Sequence, residues 1–171
     1  MTSRERHSTV LVGGGIVALF ALLGAAFLLR DRTPLLTREA LERARAVWDR
    51  TALADYDITL RKELDARPVE HVRTEVRGGK SVGLAIDGKA VAAKESYSVP
   101  GLFDVLETEL EMAVSKDHLP GQPVDAILKA LFHDATGTPV ILKRIASNRK
   151  SYVITVEKIE IPGKEVVWRN E

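Results

Sequence analysis

The sequence predicts an α+β protein with one N-terminal transmembrane helix, then a curved antiparallel sheet of five or six strands packed on two helices. Residues 9–29 are an unbroken run of 21 uncharged positions. Residues 38–53 and 99–113 repeat apolar side chains every three or four positions. The stretches between and after them alternate with period two, the spacing of half-buried strands.

The uncharged run comes first. A helix of 21 residues rises about 31 Å, close to the hydrocarbon thickness of a bilayer. In lipid the backbone groups of a single span are satisfied only within a helix. Arg4, Glu5, Arg6 and His7 precede the run, and Arg30, Asp31 and Arg32 close it. A removed signal peptide is the rival reading, because Gly24-Ala25-Ala26 offers small residues for cleavage. The apolar run continues through Phe27, Leu28 and Leu29, past the point where a signal's apolar region stops, and this favours an uncleaved anchor. Arginines flank both sides, so their count alone does not orient the segment. The short polar tail before it has the form of a signal anchor, which puts a single-pass protein in the cytoplasmic membrane with its C-terminal domain outside the cytoplasm. The expected organisation is a tail at 1–8, the anchor at 9–29, a spacer at 30–36, an α+β domain at 37–161 and a C-terminal tail at 162–171.

From Arg30 onward 23 Lys and Arg balance 23 Asp and Glu. Nucleic-acid binding calls for a clustered basic excess, so that class of partner is set aside. The chain has no cysteine, which removes a lipid-modified N-terminus and any disulfide from consideration.

Along the domain, Thr37 is an N-cap and Leu36 can meet Leu41 as a hydrophobic staple. Leu41, Ala44, Val47 and Trp48 form the inward stripe of a helix ending near Leu53. Tyr56, Ile58 and Leu60 share one face of a strand, and Val72, Thr74 and Val76 repeat the pattern. Gly78-Gly79 turns the chain into a return strand carrying Val82, Leu84 and Ile86 inward, and Asp87-Gly88 turns it again into residues 89–93. Ser98 caps a second helix with Pro100 in its first turn. Val99, Leu102, Phe103, Leu106, Leu110 and Ala113 form its stripe, leaving Asp104, Glu107, Glu109 and Glu111 to solvent. After a polar loop at 116–123, strands follow at 126–133, 140–146 and 151–161. In the last, Ile154 and Val156 have one parity and Ile159 and Ile161 the other, so a bulge is expected near Glu157-Lys158. Residues 166–168 are either a short edge strand or a trailing end. The expected core is Leu41, Val47, Trp48, Tyr56, Ile58, Val76, Leu84, Phe103, Leu106, Leu110, Phe132, Ile141, Ile154 and Val156.

These elements carry a familiar set of short motifs. Trp48 then Tyr56, the hairpin Val76-Arg77-Gly78-Gly79-Lys80-Ser81-Val82, the helix start Ser98-Val99-Pro100-Gly101-Leu102-Phe103-Asp104, then Phe132-His133-Asp134 and Gly137-Thr138-Pro139 come in order. Together they resemble an uncharacterised family of bacterial exported or lipid-anchored proteins known only as a domain of unknown function. The resemblance covers roughly residues 48–161 and implies an exported location, with no established activity. Where that family commonly has a tyrosine-aspartate pair and Gly-Tyr-Pro, this chain has His133-Asp134 and Gly137-Thr138-Pro139. These positions, His133, Asp134, Gly137 and Pro139, are the candidate interaction or turn residues.

Chemical motifs do not survive their own geometry. Gly79-Lys80-Ser81 looks like the end of a phosphate loop, but Thr74 stands where the first glycine belongs and a strand follows where a helix is needed. No histidine pair has the i, i+4 spacing of a metal site, and only a meeting of His71 with His133 across neighbouring strands would supply one. His133-Asp134 cannot orient each other within a regular strand, and no Gly-x-Ser-x-Gly elbow is present. No cofactor is called for. The expected function is therefore a non-catalytic protein- or peptide-interaction module at the cell envelope. The alternative is a small-ligand-binding or hydrolytic domain with a pocket between helix and sheet.

In the apolar run Gly14, Ala18, Ala21 and Ala25 step by four, three and four, giving one smooth helix face suited to close backbone approach and a homodimer through the membrane helix. A chain carrying Gly14→Leu and Ala21→Leu should then lose most of its cross-linked dimer in membranes. Unchanged dimer yield would remove the idea.

Overall fold

Helix α1 (Arg38–Thr51) starts where the side chain of Thr37 takes over a backbone role. Its Oγ1 accepts the Ala40 amide at 3.2 Å, and Leu36 and Leu41 are both buried as the staple pair. The computed structural model describes residues 31–51, 53–65, 67–114, 126–146, 151–163 and 166–169. The expected tail at 1–8, the anchor with Gly14, Ala18, Ala21 and Ala25, and the polar loop at 116–123 lie outside these residues. Among the described residues no helix is long and apolar enough to cross a membrane.

Strands β1 (Tyr56–Leu64), β2 (Glu70–Arg77), β3 (Lys80–Ile86) and β4 (Lys89–Val91) form a meander, each pairing antiparallel with the next. A single turn of 3₁₀ helix (Glu95–Tyr97) leads into α2 (Val99–Val114). Beyond it come β5 (Ala126–Phe132), β6 (Pro139–Ala146), β7 (Tyr152–Glu160) and β8 (Val166–Arg169). The strands make one eight-stranded sheet in the order β4-β3-β2-β1-β7-β6-β5, with β8 pairing β7 outside that path. The sequence led to five or six strands. Of those it undercounted, β4 and β8 have three and four residues, too few for an alternating pattern to declare itself. β7 pairs with β1 along one side. Its other side is shared, with β6 on Tyr152 to Thr155 and β8 on Lys158 to Glu160.

One face of the sheet meets the helices. Tyr56, Ile58, Leu60, Val72, Val76, Leu142, Val156 and Ile159 come from the strands, and Val99, Leu102, Phe103 and Leu106 from α2; all are nearly inaccessible. Trp48 of α1 meets Tyr56 edge to face with centroids 5.5 Å apart, and Phe103 stacks on Phe132 at 6.1 Å. Ser98 caps α2 as its sequence position suggests, its Oγ accepting the Gly101 amide at 3.1 Å. Gly101 itself lies so close under the 3₁₀ turn that a β-carbon would overlap the Glu95 carbonyl. Gly137, at φ +71°, rests against the backbone of α1 in the same way, over the Ala44 carbonyl.

Bulges set which residues face inward. The β1–β7 register shifts so that Glu157 has no partner, and Val156 and Ile159 both reach the core as their parity switch required. A second shift leaves Val82 unpaired between Ser81 and Gly83, turning it outward where the alternation alone had put it inside. In β6 the inward set is Val140, Leu142 and Arg144, so Ile141 faces out against Leu131 instead of joining the core. Val47 and Phe132 are only half-buried, and Ala113 is exposed at the end of α2.

The Tyr56 hydroxyl accepts the Val99 amide at 3.0 Å, the first orphan donor of α2, inside the core. Burial pushes that hydroxyl up to about 12, against the opposing pull of the Val99 N–H. The fold therefore holds the neutral phenol. Its contribution is complete below the free tyrosine value near 10 and is lost as pH rises from there through about 12. Tyr56→Phe should cost about 1–3 kcal/mol at neutral pH by leaving the amide without a partner. It should also shrink the loss of stability between pH 10 and 12, measured by denaturant titration at each pH.

Candidate functional site

The charged groups on the inner face are spent on holding elements together, while the buried Thr74 hydroxyl has no hydrogen-bond partner among the described residues. Lys62 lies on this face beside Ile154 and Glu70, and its Nζ donates to Glu70 Oε2 and to the Tyr97 hydroxyl, both at 3.2 Å. Burial disfavours its charge, yet the Tyr97 and Glu70 contacts outweigh that and raise its pKa. On the far side Arg144 Nε meets Glu109 Oε2 at 2.9 Å, both side chains largely buried. Glu109 thus turns in to tie α2 to β6, where the helical stripe had left it to solvent. Tyr152, paired with Arg144 across β6–β7, is raised by burial and by Glu109. Lysine stays protonated and tyrosine stays neutral around pH 7, so neither is poised to exchange a proton there.

A groove of about 400 Å³ runs along the solvent side of α2, lined by Glu95, Gly101, Asp104, Val105, Thr108 and Met112 among others. Its carboxylates are engaged. Glu95 accepts the Ser81 amide at 3.0 Å and hydroxyl at 3.1 Å, and Asp104 pairs with Arg45 at 2.8 Å. Arg45 also reaches Glu107 at 3.3 Å and lies over the Phe103 ring.

The outer face of the sheet divides into two halves. Over β7, β1 and β2 it is charged in rows: Glu160, Asp57 and Glu75 stand side by side, next to Lys158, Thr59 and Arg73. Asp57 is the most enclosed of these. Its Oδ2 accepts from Arg73 Nη2 at 2.8 Å, and Oδ1 lies 2.8 Å from Arg77 Nη1, which directs its hydrogen bonds to the Tyr56 and Val76 carbonyls. The Oδ1 contact is therefore ionic without a well-aligned hydrogen bond. Burial opposes ionisation of Asp57, but the two guanidiniums prevail and hold the carboxyl below the usual range.

Over β5 and β6 the same face is aliphatic. Ile127 pairs directly with Ile145, Leu131 with Ile141, and Lys129 with Lys143. Leu35 extends the patch from the stretch read as spacer. It bridges Lys129 antiparallel, with Leu36 N–H donating to Leu128 at 2.9 Å and Ala130 N–H to Pro34 at 3.1 Å. Directly paired residues share a face, so Leu35 (64% exposed), Ile127 (50%), Leu131 (41%) and Ile145 (45%) form one outward cluster.

The two sheet edges differ for the same reason. At β5 the pairing of residues 34–36 covers the middle of the strand. At β4 nothing among the described residues pairs with the outer side. Asp87 and Gly88 both have positive φ, 49° and 76°, as a two-residue hairpin requires. In such a hairpin Ile86 and Lys89 exchange hydrogen bonds, so the next residue, Ala90, turns its N–H and C=O away from β3. All three β4 residues are exposed.

The sequence-derived positions fall elsewhere. His133 Nδ1 lies 3.0 Å from Thr136 Oγ1, which in turn lies 2.9 Å from buried Thr138 Oγ1. Asp134 is exposed, while Gly137 and Pro139 are buried where the hairpin packs on α1. His71 is on β2 and His133 at the end of β5, with β1, β7 and β6 between, so they do not meet. Among the described residues no group of three His, Asp or Glu is arranged to hold a metal. The aliphatic patch escaped sequence reading because residues 126–132, Ala-Ile-Leu-Lys-Ala-Leu-Phe, are apolar at both parities. Only the register tells Ile127 and Leu131 from Leu128 and Ala130.

No protein-family model matches the chain, and no curated protein matches it. Among solved structures, a chain in the crystal structure of MucB in complex with MucA(peri) is 12% identical, with a TM-score of 0.31. The alignment covers 73% of this chain and 56% of that one. A likeness this low assigns neither fold nor activity.

Because Asp57 is held ionised below its free value, its stabilising effect is present above the free aspartate range and is lost as pH falls through its lowered pKa. Asp57→Asn should cost about 1–2 kcal/mol at pH 7 by leaving Arg73 and Arg77 without their carboxylate. The difference from the parent should close as the medium is acidified, measured by urea titration at stepped pH.

Proposed function

We propose that this chain is a membrane-anchored, non-catalytic module at the cell envelope, which holds an extended peptide or protein segment along the outer side of β4. The observation that carries the reading is the unequal treatment of the two edges. The chain's own residues 34–36 occupy one, and the other ends in a fully exposed strand whose central amide and carbonyl face outward. Main-chain hydrogen bonds to such an edge supply affinity, and side chains on alternate positions supply selectivity. Val91 and Val82, both exposed on β4 and the adjoining bulge, are the apolar contacts nearest that edge. The anchoring rests on the apolar run at 9–29 and agrees with the exported family that the motifs resemble. The filled inner face, where Lys62, Glu70, Glu109 and Arg144 are tied up in ion pairs, supports binding at the surface over chemistry in a pocket.

A photo-cross-linking residue at position 90 of the full chain, in its own membranes, should yield one reproducible protein product. The same residue at Arg73, on the charged outer half, should not. A proline next to the cross-linker site offers the sharper comparison. Ala90→Pro removes an N–H that the ladder does not use, a change edge strands tolerate, so the melting temperature should stay within a few degrees while partner capture through a label at Val91 is lost. Capture that survives the proline, or a small metabolite co-purifying in place of any protein, would reverse the proposal in favour of the pocket reading.

A further inference from the structure

The aliphatic half of the outer face is not needed for the core, and it surrounds the point where the chain enters the domain. Only residues 30–34 separate Leu29, the last of the apolar run, from Leu35, which is itself part of the patch. Six Cα steps span at most about 20 Å. A segment fixed in lipid at Leu29 therefore keeps Leu35, which bridges Lys129 of β5 about 5 Å away, within about 20 Å of the hydrocarbon edge. The headgroup layer accounts for about 5–7 Å of that distance.

We propose that Leu35, Ile127, Leu131 and Ile145 seat the domain on the bilayer surface, with the β5–β6 end of the sheet lying on the headgroups. Four large aliphatic side chains gathered on one flat face are what a monomeric soluble domain avoids and an interfacial surface uses. Lys129 and Lys143 stand between them in register. Lysine stems lie along apolar surface, so residues of this kind are compatible with an interface. Seating this end leaves β4, at the opposite edge of the sheet, turned to solvent and open to a partner. The inference rests on the anchor reading above, and the two can fail separately.

The chain has no native cysteine, so single-cysteine variants of the full protein report one position each. Bimane at Leu131→Cys, Arg73→Cys or Ala21→Cys would be read in vesicles of phosphatidylcholine and phosphatidylglycerol carrying nitroxide-labelled lipids. The expected result is quenching at 131 about threefold stronger than at 73 with the nitroxide near the headgroup. Adding Ile127→Ser and Ile145→Ser should bring 131 down toward 73. If 21 is quenched by acyl-chain nitroxides while 131 matches 73, the seating is wrong and the anchor stands. If 21 is not quenched and the protein separates from the vesicles, both readings fall. A label at 131 shielded from aqueous quencher yet untouched by lipid nitroxides means that protein covers the patch, a second copy or another chain, and this too overturns the proposal.

Discussion

The ladder between β1 and β7 joins the four-stranded meander before α2 to the strands after it, so one core forms only when residues about a hundred positions apart have paired. Its eight register pairs, three on one side of the bulge and five on the other, are the most of any ladder among the described residues. Closing so long a loop costs entropy that local hairpins do not, and the return comes from what the pairing brings together. Tyr56, Ile58 and Leu60 on β1 then lie beside Ile154, Val156 and Ile159 on β7, under Phe103 and Leu106 of α2. Tyr56 links three elements at once, through its ring to Trp48, its hydroxyl to the Val99 amide and its backbone to Val76. The same helices also cover Val72 and Val76 of β2 and Leu128, Ala130 and Leu142 of β5 and β6, so the core runs across the ladder from one meander to the other.

Committing the inner face in this way decides what the domain can offer to others. The Glu109–Arg144 and Lys62–Glu70–Tyr97 contacts fasten α2 and the 3₁₀ turn to the sheet, and a half-buried ion pair broken by losing one partner costs far more than it contributes intact. These groups are restraints. What is left is the outer face and the two ends of the sheet, which the chain treats differently: charged rows in the middle, an aliphatic patch at the β5 end where residues 34–36 add themselves to the sheet, and a short bare strand at the β4 end. The proposed seating and peptide binding use two of these surfaces, the aliphatic patch and the bare strand, without competing for either.

Local signals were legible wherever a residue type performs a job that neighbours cannot alter. Thr37 and Ser98 cap their helices, Gly78-Gly79 and Asp87-Gly88 turn their hairpins, and the parity break between Val156 and Ile159 announces the bulge at Glu157. Reading failed where two faces of a strand have similar composition, or where a long-range partner changes a residue's meaning. Ile141 and Leu142 are equally apolar, and only pairing with Leu131 against Leu128 and Ala130 sorts them. Val82 follows the inward parity until a bulge set by β2 moves it out. Glu109 has the helical phase of a solvated residue, and Arg144, 35 positions later, draws it inward. The surfaces proposed for function were the least visible, because exposure of Leu35 and Ala90 is a property of the sheet's edges, and sequence periodicity does not reveal which strands are edges.

Native-state hydrogen exchange on the full chain in detergent or bilayer tests the dependence on β1 and β7 most directly. The amides of β1, β7 and Val99 should share the highest protection and exchange through one global opening, while Ala90 exchanges near the rate of an open chain. If β5, β6 and β7 open together at much lower free energy with β1 to β4 still protected, the two meanders are independent and the single-core account is wrong.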